Sequence, residues 1–273
     1  MQLIDHGNSL IIPGFVDLHL HAPQFANLGL GLDKELMQWL ETYTFPEESK
    51  YSNIDYARKV YLTFIRELWK VGTTRACVFA TLHKNATKLL IDLFDQSGLF
   101  GEVPTVMANC VLVDEEEIEL MARKKVFVAH SPNSNCNLSS GIAPIRRLIT
   151  RGIPVGLATD VSAGHSLSMN SVLVNASQVS NIKWLESGRV DKPLSTAELF
   201  YLATKAGGQF FGKVGSFEEN YEFDALVIDD SSLSIFKTLT IEERLQKFIY
   251  TGDDRNIKER YVAGKKIEEP KCC

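Results

Sequence analysis

No apolar run in the 273 residues approaches the roughly 18 that cross a bilayer, so no membrane-spanning helix is expected. The opening stretch Met1-Gln2-Leu3-Ile4-Asp5-His6 has no basic segment followed by an apolar one. A signal peptide is therefore not expected, and the cytoplasm is the expected compartment. Cysteine is sparse: Cys77, Cys110, Cys136, Cys272 and Cys273, an odd number with no C-x-x-C pair. That excludes a disulfide framework and predicts buried reduced thiols with a frayed Cys-Cys tail. Positive charge is not in excess either, with 29 Lys and Arg against 34 Asp and Glu and a net charge of −5. Nothing electrostatic favours nucleic acid or an anionic membrane as a partner, and a small uncharged substrate fits better. Internal repeats and low-complexity tracts are also absent.

What is present is ordinary globular composition, 45% hydrophobic and 23% charged, on a chain long enough for one large core. After a poorly patterned start, Ile11-Ile12-Pro13-Gly14-Phe15-Val16-Asp17-Leu18 reads as a turn feeding a buried strand. Apolar residues recur at helical spacing from Leu36 to Tyr43 and from Asp55 to Lys70, where Gly72 ends the helix. Strands are then expected at Thr73–Ala80, Thr105–Ala108, Val126–Ala129 and Pro154–Thr159. Helices are expected at Asn85–Phe94, Asp114–Arg123, Pro144–Thr150, Leu167–Trp184 and, behind a Ser195/Glu198 capping box, to Lys205. Only a loop is expected between Phe94 and Thr105.

Strands alternating with helices imply an α/β fold with a parallel sheet, a (β/α) barrel or part of one. About five parallel strands can be counted, where a closed barrel needs eight. The barrel is thus expected to be incomplete over 13–212. A small β unit is expected from 1–12 and 213–273, with strands at Phe223–Ile228 and Arg260–Lys266.

In such folds chemistry sits at the C-terminal ends of the strands. His19, His21, His83 and His130 fall just past predicted strands, as does Asp160. The period of two along a strand sends His19 and His21 to one side, a pair that suits zinc or iron. The plainer alternative is two satisfied interior histidines. Asp160 could ligate the same metal and accept a proton from its water, or it could cap the next helix. His130 opens a turn-rich loop that it could simply hold together. His83 could line a pocket or be solvated, and His6 and His165 read as non-catalytic.

The residues Pro13-Gly14-Phe15-Val16-Asp17-Leu18-His19-Leu20-His21-Ala22-Pro23-Gln24 resemble the start of the guanine deaminases, within the amidohydrolase superfamily. Tyr43-Thr44-Phe45-Pro46-Glu47-Glu48, Phe79-Ala80-Thr81-Leu82-His83 and His130-Ser131-Pro132-Asn133-Ser134-Asn135 are similar to the same family. So are Thr159-Asp160-Val161-Ser162-Ala163-Gly164-His165 and Gly252-Asp253-Asp254-Arg255-Asn256-Ile257, and the matches run in order over nearly the whole chain. The resemblance implies a metal-dependent hydrolase barrel that binds one zinc ion and converts guanine and water to xanthine and ammonia in purine catabolism. It implies His19, His21 and Asp160 as metal ligands, Asp160 as a catalytic residue, and His21, Ala22, Pro23 and Gln24 as purine contacts. Zinc would make a water nucleophile available near neutral pH, and iron suits the same donors.

The sequence also departs from the family pattern. No Ser-His-x-Ser-Glu-Asn-like string, which would carry a third metal histidine and a proton-shuttling glutamate, occurs between Phe94 and Gly101. An arginine-phenylalanine substrate pair is missing from the same stretch, and Asn109 stands where the family has histidine. About three βα units are missing on this count, so weakened or lost turnover is expected. Two other readings follow: an inactive shortened relative serving as a binding or assembly subunit, and a zinc hydrolase of another small amine or amide. An open barrel edge also predicts a homodimer.

Overall fold

The structure, a computed structural model, describes residues 3–102, 106–233 and 237–271. Thr105 and the Cys272-Cys273 tail lie outside the described residues. The supposedly unpatterned start contains a strand, β1 (Leu10–Pro13), followed after Gly14 by β2 (Phe15–His21). A side chain at Gly14 would overlap Thr74, so the chain passes from one sheet to the next on a glycine. From Phe15 to Leu20 β2 is buried on both faces, as parallel-sheet strands are. Val16 and Leu18 pack beneath the segment 202–211, while Asp17, His19 and His21 face the other way.

A 3₁₀ turn, Ala22–Asn27, leads to a broken helical run: α1 (Leu36–Trp39), a π-helical stretch Leu40–Thr44, and α2 (Phe45–Ser49). Helix α3 (Ile54–Lys70) starts on an Asn53 cap and stops at Gly72, whose φ is +78°. Its apolar stripe Ala57, Tyr61, Phe64, Ile65 and Leu68 packs with Leu89, Leu90, Leu93 and Phe94 of α4 (Lys84–Ser97). Between those helices runs β3 (Thr73–Phe79).

The expected loop between Phe94 and Thr105 contains a strand, β4 (Phe100–Glu102), paired parallel to β3. Three residues with a central glycine carry no periodicity to read, which is why the strand count rises from five to six. Next come β5 (Met107–Ala108), α5 (Glu115–Lys124) behind an Asp114/Glu117 capping box, and β6 (Val128–His130). The stretch after His130, read as a loop, is a short helix, α6 (Pro132–Asn137), with proline at its first turn. Cys136 on this helix is exposed, against the expectation of buried thiols, while Cys77 and Cys110 are buried.

The remaining elements are α7 (Ile145–Thr150), β7 (Val155–Leu157), α8 (Met169–Glu186) and α9 (Thr196–Tyr201), the last prolonged by a π-helical Leu202–Ala206. The terminal part holds β8 (Ala225–Ile228), β9 (Ile257–Val262) and β10 (Lys265–Lys266). It also holds a helix missing from the sequence reading, α10 (Ile241–Thr251), capped by Thr240 and Glu243.

Parallel pairing gives two three-stranded sheets, β2-β3-β4 and β5-β6-β7. Asp160 N donates to His19 O at 2.8 Å and His21 N to Val161 O at 2.8 Å, so the chain leaving β7 runs beside β2. The strands therefore follow the order β4-β3-β2-β7-β6-β5. Among the described residues the two outer strands are β4 and β5, neighbours in sequence. A separate antiparallel sheet, β1-β8-β9-β10, joins the two chain ends in the register Leu10 to Ile228 through Pro13 to Ala225.

Candidate metal centre

His19 and His21 share a face of β2 because they are two residues apart. Asp160 reaches them from the loop three residues beyond β7, so the helix-cap alternative fails: the N-cap of α8 is Ser168, eight residues later. The loop is tight. Asp160 sits at φ +50°, a left-handed conformation that aspartate tolerates better than most residues, and Gly164 N closes onto Asp160 O at 2.7 Å. A side chain at Gly164 would overlap the Thr159 carbonyl.

Beneath the histidines, Asp17 stitches β2 to the same loop. It accepts Thr159 Oγ1 at 2.5 Å, Thr159 N at 3.1 Å and His19 N at 3.2 Å. Burial pushes its carboxyl up to about 6, with those hydrogen bonds pulling the other way.

Three ligand atoms converge. His19 Nε2 lies 3.1 Å from Asp160 Oδ1, His21 Nε2 lies 3.5 Å from the same oxygen, and the two Nε2 atoms are 3.2 Å apart. In a tetrahedral zinc site with bonds near 2.0–2.2 Å, neighbouring ligand atoms stand roughly 3.3 Å apart. The observed triangle has the size of one face of that tetrahedron. Two imidazole nitrogens and a carboxylate oxygen pointing at one spot also form a donor set for a divalent cation.

The charge states agree with that use. Burial pushes His21 down to about 4; Asp160 opposes the shift and His19 adds to it, so the ring is neutral near pH 7. Burial alone would raise the Asp160 carboxyl. The hydrogen bonds of His19 and Ser134, with the electrostatic pull of the two imidazoles, outweigh it and hold the group below its usual range. A neutral imidazole and an ionised carboxylate are the forms that ligate a metal.

Among the described residues this is the one group of three or more His, Cys, Asp or Glu side chains close enough to share an ion. His83 starts α4, partly exposed, and does not join it. His6 packs edge-on to Tyr261, and His165 meets Asn137 and Ser171. Asn109 lies at the end of β5 with φ +68° and a buried Oδ1 that has no hydrogen-bond partner among the described residues. Ala22, Pro23 and Gln24 are buried in the turn directly after His21.

Two contacts had no local signal in the sequence. Phe79, the last residue of β3, packs against both rings at centroid distances of 4.4 Å to His19 and 5.1 Å to His21. Ser134 reaches Asp160 from α6.

His130 is buried, its Nδ1 has no hydrogen-bond partner among the described residues, and burial pushes the ring down to about 3 from 6.5. Below pH 6.5 the unfolded chain binds a proton that the folded chain refuses until about pH 3, so stability falls as pH drops through that window. His130→Gln should therefore show a shallower loss of stability between pH 6.5 and 4 than the unsubstituted protein in urea unfolding. Equal slopes would contradict this.

The family model for the amidohydrolase family matches residues 10–104 and again 83–267. The guanine deaminase of Dictyostelium discoideum is 28% identical over 380 aligned positions, covering 98% of this chain and 84% of the relative. That of Homo sapiens is 29% identical, covering 95% and 83%. Alignments longer than the chain leave a large stretch of each relative without a counterpart among the 273 residues. A solved guanine deaminase from C. acetobutylicum with guanine bound in its active site superposes at a TM-score of 0.94. It is 38% identical, covering 97% of this chain and 88% of that one.

Proposed function

The chain belongs to the amidohydrolase family as an enzyme of the guanine deaminase type with a TIM-barrel-type fold, and on that premise we propose that it hydrolyses guanine to xanthine and ammonia at one zinc ion held by His19, His21 and Asp160. The observation that carries the reading is the triangle of Nε2, Nε2 and Oδ1 atoms, in a chain 38% identical to a guanine-binding relative. Zinc, when bound, lets water act as a nucleophile near neutral pH; iron suits the donors as well. Asp160, ionised and buried, orients the attacking water and takes its proton. Gln24, three residues past His21, meets the purine edge, with Ala22 and Pro23 forming the wall beside it. Such an enzyme serves purine catabolism, for which the cytoplasm is the fitting compartment.

Two features set its rate. Asn109 hydrogen-bonds but cannot titrate near neutral pH, and the sequence has no Ser-His-x-Ser-Glu-Asn string. Without the glutamate of that string, proton transfer forgoes roughly 10²–10⁴-fold. The barrel, on this reading, spans 13–212 and is open between β4 and β5, which is where the stretch of each relative without a counterpart in this chain would belong. The bare edges there suit pairing with a second copy. The described residues of 1–12 and 213–273 make up the attached β unit on the same reading.

The purified chain is expected to hold about one zinc per molecule and to release ammonia slowly from guanine. Stoichiometric zinc with no turnover, or no zinc bound at all, would overturn the proposal. Asn109→His alone should leave the rate far below that of an efficient enzyme, measured by ammonia release, because the glutamate is still missing. Full recovery would show the shortfall to lie at Asn109.

A further inference from the structure

The turn that follows His21 is clamped to the helical run 36–52 by two side-chain hydrogen bonds. Gln24 Nε2 donates to Glu48 Oε1 at 2.8 Å, and Asn27 Nδ2 donates to the Tyr43 carbonyl at 2.9 Å. Gln24 is buried and Glu48 half-buried. Among the described residues the bond to Glu48 is the only hydrogen bond of the Gln24 side chain. The two partners lie 24 residues apart, on separate elements.

A carboxylate only accepts, so the amide must turn its NH₂ toward Glu48. The amide's shape alone cannot impose this, because its oxygen and nitrogen ends are nearly equal in size. With one N–H committed to Glu48, the carbonyl oxygen and the second N–H are left in a fixed order. A purine edge also presents donor and acceptor atoms in fixed order, and an amide matches it in only one orientation.

From this geometry we infer that Glu48 is a positioning residue that locks the Gln24 amide in one orientation and so selects a purine bearing a 2-amino group over one without it. The inference rests on the proposed purine site. Glu48 need not touch the substrate. It acts through Gln24, and it supplies a physical reason for the Tyr43–Glu48 segment to accompany the His21–Gln24 segment.

The test compares the metal-loaded full chain with Glu48→Gln and Glu48→Asp. Binding of guanine and of hypoxanthine, which lacks the 2-amino group, is followed by tryptophan fluorescence before turnover. Glu48→Gln should weaken guanine binding about tenfold, the worth of one misdirected hydrogen bond. Hypoxanthine affinity, zinc content and melting temperature should stay unchanged, and Glu48→Asp should fall between. Unchanged guanine affinity in Glu48→Gln would overturn the inference and leave the purine site standing. Equal weakening for both purines would mark a merely structural role and also overturn it. If Glu48→Gln does not fold, Glu48→Asp is judged by the same ratio. If the unsubstituted chain binds neither purine, the purine site itself falls and the inference with it.

Discussion

His19→Ala is expected to strip the chain of stoichiometric zinc and to lower ammonia release from guanine by more than about a thousandfold, beyond the 10–100-fold usual for an outer partner of a metal site. His19 is 5% exposed, and its ring supplies one corner of the three-atom triangle. Removing it leaves His21 and Asp160, two donors where catalytic zinc uses three from the protein. Metal content by atomic absorption and an ammonia assay on the same preparation check both parts. Retained zinc at one per chain would remove His19 from the site, whatever the activity.

The triangle was legible because each part has a local signature. His19-Leu20-His21 follows a proline-glycine turn and an apolar strand, and the period of two does the rest. Asp160 closes a short apolar strand in the same way. Other elements were illegible for stated reasons. Phe100-Gly101-Glu102 is too short to show alternation, and its glycine reads as punctuation. Pro132-Asn133-Ser134-Asn135 consists of turn formers, yet proline fits the first turn of a helix equally well. Helix α10 carried a readable cap, Thr240 with Glu243, but sits among strands of the terminal sheet. Phe79 against the histidines and Glu48 on Gln24 join positions far apart in sequence, and no local window contains both partners.

Asp224→Asn is expected to cost about 3–5 kcal/mol, the usual penalty for removing one partner of a buried ion pair. Arg75 on β3 is 3% exposed and Asp224 fully buried; Nε reaches Oδ2 at 2.6 Å and Nη2 reaches Oδ1 at 3.0 Å. Oδ1 also accepts Ala263 N at 2.7 Å, and the Asp224 carbonyl accepts Gly14 N at 3.0 Å. One residue thus ties β3, the β1–β2 junction and the end of β9 together. Glu222 also binds Arg75, at 2.7 Å, but its side chain is half exposed, and water weakens what it can offer. The asparagine keeps the shape while leaving the guanidinium short of its buried counter-charge. For a chain of this size that loss corresponds to a melting temperature lower by about 10 °C, readable by differential scanning calorimetry. Zinc content measured well below the transition should not change, because neither residue supplies one of the three ligand atoms. The pair Arg75→Met with Asp224→Leu separates the two explanations for such a loss. If the cost comes from a stranded charge, removing both charges recovers most of it. The remainder would be the orphaned Ala263 N–H. If the double variant is as unstable as Asp224→Asn, the bonds to the chain, rather than the ion pair, hold the terminal sheet against the strands that carry the histidines.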